Sequence, residues 1–185
     1  MKAEKKIWYS DYIRTTDDEY FIMKNFLKDF IFQHRLRYMV YFRCAQKTKS
    51  KTMKIFCEYK LYRLCRKYGI EVKTNTKIGQ GFVMLHPYNI TISPEAIIGR
   101  NVTVCKGATI GRANGKRPGA PVLGDCVYVG INSTVLGGIS IGEDVMIAPN
   151  TFVNQDIPSH SIVLGNPCRI ISREDATREY IFYRV

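Results

Sequence analysis

Several residue types are scarce in this chain, and each scarcity excludes something. It has three histidines, His34, His86 and His160, and one tryptophan in 185 residues. Only His86 falls in the middle of the chain, so a three-histidine zinc centre there is excluded, and no metal is expected. No run of about 18 apolar residues occurs, so no helix should span a membrane. Met1 to Ser10 is polar and lacks the apolar core of a signal peptide, which points to a cytoplasmic location. The six cysteines, Cys44, Cys57, Cys65, Cys105, Cys126 and Cys168, form no Cys-x-x-Cys pair. They read as reduced packing thiols. Acidic residues are also few, 16 against 28 Lys and Arg, for a net charge of +12.

The positive charge is concentrated. Residues 1–68 hold 17 Lys and Arg against 7 Asp and Glu, and the rest hold 11 against 9. Arg35, Arg37, Arg43, Lys47, Lys49, Lys51 and Lys54 alternate with Tyr38, Tyr41, Phe42, Phe56 and Tyr59. A solvated helix face fits this pattern, and so does peripheral contact with an anionic membrane surface or an acidic glycan. No nucleic-acid recognition motif accompanies the charge, so nucleic acid is not an expected partner.

What is abundant is a repeat. From Ile78 to Val153 an aliphatic residue returns every six positions, often followed by glycine or another small residue. The clearest run is Leu123-Gly124, Val129-Gly130, Val135, Ile141-Gly142, Ile147-Ala148 and Val153. An earlier run is Ile92, Ile98-Gly99, Val104 and Ile110-Gly111. A period of six fits neither an amphipathic helix nor a simple strand. It fits a triangular coil with one hexapeptide per side, the aliphatic residue on the axis and the small residue near the corner.

The chain divides accordingly into a basic helical region at 1–69, a coil at 70–171 and a C-terminal segment at 172–185. Three helices are expected in the first part. One runs from a cap at Asp17 or Asp18 toward Phe32, with Phe21, Ile22, Phe26, Leu27, Phe30 and Ile31 at helical spacing. The others cover about 34–46 and 51–68, the last ended by Gly69. Ser172 and Asp175 have the spacing of a capping box, so a short helix is expected from Arg173 to Tyr183.

Two interruptions of the six-residue frame are where chemistry is expected, because sites sit on the departures from a rigid support. Ile78, Met84 and Ile90 keep one frame. Ile92, Ile98 and Val104 keep another, displaced by two. His86-Pro87-Tyr88-Asn89 lies in the slip, with His86 facing outward. The second interruption is an excursion at 112–121, in which residues 112–120 hold two glycines, a proline and the cations Arg112, Lys116 and Arg117. Its composition suits an exposed loop meeting an anionic ligand.

The repeat, the His-Pro after Gly81-Phe82-Val83-Met84-Leu85, the Thr109-Ile110-Gly111…Asn114-Gly115-Lys116 stretch and the ending Gly165-Asn166-Pro167-Cys168-Arg169-Ile170 together resemble the hexapeptide-repeat acyltransferases. The nearest branch is that of the serine acetyltransferases and their surface-polysaccharide relatives. The resemblance covers about residues 70–172. It implies a left-handed parallel β-helix and a homotrimer, with acetyl-CoA lying in clefts between copies. His86 matches the catalytic histidine. Gly111, Asn114, Gly115, Lys116, Gly130, Ala148 and Arg169 match positions around the coenzyme.

An alcohol needs its proton removed as it attacks a thioester, and a histidine that titrates near neutrality suits that work. The activated thioester needs no metal. Asp17, Asp18, Asp29 or a backbone carbonyl would orient His86. His34 and His160 read as surface or packing residues. One departure from the branch bears on the acceptor. The serine enzymes place an aspartate directly before the histidine, where this chain has Leu85. They place Arg-His before the returning proline, where this chain has Gly119-Ala120-Pro121. A sugar or polysaccharide-precursor hydroxyl is therefore expected as acceptor, with Tyr88 and Asn89 beside the base to receive it. The alternative is serine O-acetylation in cysteine biosynthesis.

Overall fold

The computed structural model describes residues 6–16 and 22–185. Four helices come first, α1 (Lys6–Thr16), α2 (Met23–Phe32), α3 (His34–Lys47) and α4 (Lys51–Tyr68). α4 starts where the Ser50 hydroxyl accepts from Met53 N–H and stops at Gly69, whose φ of 68° is left-handed, as expected. α2 begins after Ile22 with no side-chain cap. Asp17, Asp18 and Phe21, placed in that helix from the sequence, lie outside the described residues. Among the described residues no helix is long and apolar enough to cross a membrane.

The helix α1 was not expected, and the reason is the character of its contact face. Ser10, Asp11, Arg14 and Thr15 are buried along with Tyr12 and Ile13. These polar groups cover the open edge of the first coil, where backbone groups have no neighbouring strand to bond. Asp11 accepts from Phe82 N–H at 2.9 Å, and Ser10 Oγ accepts from Gly81 N–H at 3.2 Å. Arg14 donates to the Gly81 carbonyl and to Thr103 Oγ1. From α3, Arg43 forms a buried ion pair with Asp11 at 2.8 Å and donates to the Ile78 carbonyl at 2.7 Å and the Gly79 carbonyl at 2.5 Å.

The coil is a parallel β-solenoid of three sheets. Its first turn is β1 (Ile70–Val72), β2 (Lys77–Ile78) and β3 (Val83–Leu85), and its second is β4 (Ile90–Ile92), β5 (Ile97–Ile98) and β6 (Thr103–Cys105). The third is β7 (Thr109–Gly111), β8 (Val122–Leu123) and β9 (Tyr128–Val129). The fourth is β10 (Thr134–Leu136), β11 (Ser140–Ile141) and β12 (Val145–Ile147). β13 (Phe152–Val153) and β14 (Ser161–Leu164) make a shortened fifth, and β15 (Arg169–Ser172) turns back antiparallel to β14. The sheets run β1-β4-β7-β10-β13, β2-β5-β8-β11 and β3-β6-β9-β12-β14-β15.

Strand register measures the interruptions. Thr134 pairs with Phe152, eighteen residues on, which is three hexapeptides. Ile70 pairs with Ile90, twenty on, so the slip at 86–89 adds two residues to the first turn. Ile97 pairs with Val122, twenty-five on, so the excursion adds seven to another.

The axial column named from the sequence is the core. Met84, Ile92, Ile98, Val104, Ile110, Leu123, Val129, Val135, Ile141, Ile147 and Val153 are all buried, and Ile78, at the open end, is half-buried. A second column lies two residues before it and includes Phe82, Val102, Val127, Ile139 and Val145, also buried. Each such side chain taken from water contributes about 1.5–3 kcal/mol. The small residues at one corner are required by backbone approach. A Cβ on Gly99 would lie 2.4 Å from the Gly124 carbonyl oxygen, and one on Gly124 2.8 Å from Gly142.

The helix expected from Arg173 to Tyr183 is absent. Ser172 belongs to β15, and residues 174–180 are successive turns. Asp175 takes a left-handed φ of 54°, which stops a helix from propagating. Asp144 captures the Ala176 and Thr177 N–H groups, at 3.0 Å each, and fixes the turn on the solenoid instead.

Candidate active site

The two-residue slip is made by two left-handed corner residues, His86 at φ 48° and Asn89 at φ 53°. Tyr88 N–H donates to the His86 carbonyl at 2.8 Å, closing a tight turn that leaves the imidazole exposed, as expected. Asn89 N–H donates to the Tyr68 carbonyl at 2.9 Å, and Gly107 N–H to the Tyr88 carbonyl at 2.9 Å, so α4 and the second turn of the coil both hold the corner.

His34, at the start of α3, packs behind this corner. Its ring stacks on Tyr68 at 4.0 Å between centroids and meets Tyr88 edge-on at 5.2 Å. Its Nε2 is buried without a hydrogen-bond partner. Burial lowers its pKa below the ordinary histidine value; the nearby Pro87 backbone opposes this and the charges of Arg37, Arg35 and Lys67 reinforce it. It is a neutral packing residue at neutral pH, one that braces the turn carrying His86. His160 lies at the other end of the coil, paired with Asp144 at 3.0 Å.

Among the described residues, none hydrogen-bonds the His86 imidazole. Asp29 is engaged elsewhere, accepting from Gln33 Nε2 at 2.8 Å and from Tyr12 OH at 3.4 Å. Asp17 and Asp18 lie outside the described residues. Tyr88, two residues after His86, is 47% exposed. Asn89 has an architectural part as well: its Oδ1 stands where a Gly69 Cβ would be, as Asn101 does at Gly81 and Asn132 at Gly107. All three asparagines are left-handed corner residues.

The expected coenzyme residues fall in two places. Gly130 and Ala148 occupy the same edge of the triangle as His86, between the β3 sheet and the β1 sheet, on later turns. Gly130 N–H donates to the Ile147 carbonyl at 2.8 Å, and a Cβ there would strike Ala148 at 2.8 Å. The turn at 165–168 continues that edge, and Arg169 follows it, exposed. Gly111 ends β7, and Asn114, Gly115 and Lys116 belong to the excursion that follows it, which leaves a different edge, between the β1 and β2 sheets. An antiparallel bridge between Ala113 and Gly119 closes that loop. The Arg117 carbonyl accepts from Gly138 N–H at 3.0 Å, and Arg117 pairs with Asp156 at 2.6 Å. Asn114, Gly115 and Lys116 stand exposed at its tip. A single chain thus does not bring Lys116 to His86.

One feature escaped the sequence reading. A cavity of about 140 Å³ lies beside Leu85, lined in part by Arg14, Thr15, Arg35, Thr103 and Tyr183. The two arginines come from helices fifty or more residues before His86, and no spacing rule connects them to it. Among the described residues no carboxylate lines this cavity.

Residues 120–155 match the family described as bacterial transferase hexapeptide (six repeats). Serine acetyltransferase 2 of Arabidopsis thaliana is 32% identical over 152 residues, 75% of this chain and 47% of that protein, so the chain spans about half the length of this curated relative. The soybean serine acetyltransferase apoenzyme superposes with a TM-score of 0.72 at 22% identity, over 89% of this chain and 67% of that one. A serine acetyltransferase in complex with CoA gives 0.63 at 21% identity, over 74% and 56%. The repeat, the solenoid with its N-terminal helices and these likenesses agree: the chain belongs to the hexapeptide-repeat transferase family, on its serine acetyltransferase-like branch.

Proposed function

We propose that the chain is an acetyl-CoA-dependent O-acetyltransferase with His86 as general base, working as a homotrimer. The observation that carries the reading is the placement of His86: an exposed imidazole at the one two-residue slip of the solenoid, on the same edge as Gly130 and Ala148. His86 takes the proton of the acceptor hydroxyl as its oxygen attacks the thioester carbonyl. When the C–S bond breaks, the same proton goes to the departing thiolate. Backbone N–H groups along the edge suit the oxyanion. The two-edge arrangement supports the trimer. Packing the His86 edge of one copy against the excursion of the next would place Lys116 and Arg169 around one coenzyme, with the cations toward its phosphates.

For the acceptor, the relatives' names favour serine over the sugar expected from the sequence. The cavity beside Leu85 is consistent with serine, since two arginines, Arg14 and Arg35, lie in its lining. A neutral sugar hydroxyl is the second reading. It is favoured by the lining of that cavity, which among the described residues holds no carboxylate to pair with a serine ammonium.

The test compares kcat/KM for serine with that for free and nucleotide-linked sugars in one buffer. A value for serine of about 10⁴ M⁻¹s⁻¹ or more is expected; turnover of a saccharide alone would transfer the assignment to the second reading. His86→Ala should lower kcat by about 100- to 10,000-fold while coenzyme binding persists. Retention of more than about a tenth of wild-type turnover would remove His86 from the chemistry.

A further inference from the structure

A groove of about 570 Å³ between α3 and α4 is lined by five cations, Arg37, Lys60, Arg63, Arg66 and Lys67, and, among the described residues, by no carboxylate. Its size is that of a small-ligand site. Among the described residues no ion pair reaches any of the five. Arg63 and Arg66 instead donate to tyrosine hydroxyls, Tyr59 and Tyr62, at 3.1 Å each, and lie over those rings. The Arg37 Nε is buried without a hydrogen-bond partner, although its Nη1 reaches the Ile31 carbonyl at 2.9 Å. A concave surface holding five like charges and an unsatisfied guanidinium N–H is poised for an anion. Arginine forks match phosphate oxygens in particular, and tyrosine faces suit a ring attached to them.

We propose that this groove binds a phosphate-bearing ligand of nucleotide size, with its phosphates against Arg37, Arg63 and Arg66. The groove adjoins the catalytic corner. Tyr68 lines it and meets Tyr88 at 5.5 Å between ring centroids, two residues from His86. A ligand held there by its phosphate would bring an attached group toward the base. That last placement rests on the catalytic reading above; binding itself does not, and it is measured without acetyl-CoA.

The experiment titrates the full chain calorimetrically with inorganic pyrophosphate and with uridine diphosphate. A second arm sediments it with vesicles containing phosphatidylglycerol, which separates a lipid phosphate from a soluble one. The variants are Arg63→Gln with Arg66→Gln, and, as a control on the same helix outside the groove, Lys51→Gln with Lys54→Gln. Unchanged circular dichroism confirms that each is folded. The groove variant should weaken diphosphate binding at least tenfold, with uridine diphosphate tighter than pyrophosphate in the wild type, while the control changes it less than twofold. If vesicles alone bind, and only through Arg63 and Arg66, the phosphate is a lipid headgroup in the same groove. Equal losses in both variants would show diffuse attraction to a basic surface and overturn the proposal, as would an absence of binding in both arms.

Discussion

Replacing Arg43 by methionine should loosen the helices from the first turn of the coil. Arg43 and Asp11 are 5% and 1% exposed, so their ion pair is shielded from solvent screening. The guanidinium serves three acceptors: the Asp11 carboxylate and the carbonyls of Ile78 and Gly79. Methionine fills most of the volume but donates nothing. Asp11 would keep Phe82 N–H at 2.9 Å as a partner but lose its counter-charge in a buried site. Removing one partner of a buried pair costs about 3–5 kcal/mol. For a chain of this size that is a fall in Tm of about 6–20 °C. The double variant Asp11→Leu, Arg43→Met should recover much of the loss, because no charge is then stranded. Thermal unfolding of the two singles and the double, in one buffer at constant ionic strength, gives the coupling directly. Acetyl transfer by Arg43→Met should fall with stability, since α1 carries Arg14 and Thr15 to the cavity beside Leu85. A loss below about 1 kcal/mol, the value of an exposed pair, would refute the account of how the helices are attached.

Two further outcomes follow from the coil itself. Gly99→Ala would put a methyl 2.4 Å from the Gly124 carbonyl oxygen, backbone against backbone, and should cost about 1–3 kcal/mol in urea unfolding; an unchanged midpoint would mean that the turns are less closely stacked than described. His160 has its pKa raised by the hydrogen bond to Asp144, against a small opposing effect of burial and with help from Glu174 and Glu143. Its contribution to stability should therefore be fully present below the ordinary histidine pKa of about 6.5 and fade as pH rises through the higher folded-state value. The gap in Tm between wild type and His160→Gln, measured from pH 5 to pH 9, should close toward the alkaline end, and a gap that widens there would contradict the pairing.

The solenoid was legible because its determinants are local and periodic. One aliphatic residue per hexapeptide fills the axis, and the corner glycines follow from backbone crowding, so both appear as a spacing in the chain. The second core column, with Phe82, Val102 and Val127, was not read because a period of six needs only one residue per side to be seen. Helix α1 was illegible for the opposite reason: its buried face is Ser10, Asp11 and Arg14, chosen to satisfy strand-edge groups rather than to exclude water. The terminal helix failed on a distant interaction, since Asp144, more than thirty residues earlier, takes the N–H groups of Ala176 and Thr177.

The same distinction sorts the site residues. His86 stands out in the sequence because it sits in a break of a pattern, and a break is visible wherever the pattern is strong. Arg14, Arg35 and His34 do not, because they come from helices with no period in common with the coil. His34 is the instructive one. From the sequence it is an isolated histidine in a basic stretch. In the fold it stacks on Tyr68 and abuts Tyr88. The hexapeptide frame fixes where His86 stands along the coil. The helices determine what surrounds it, so under the proposed function acceptor choice would be decided by the part of the sequence that carries no repeat.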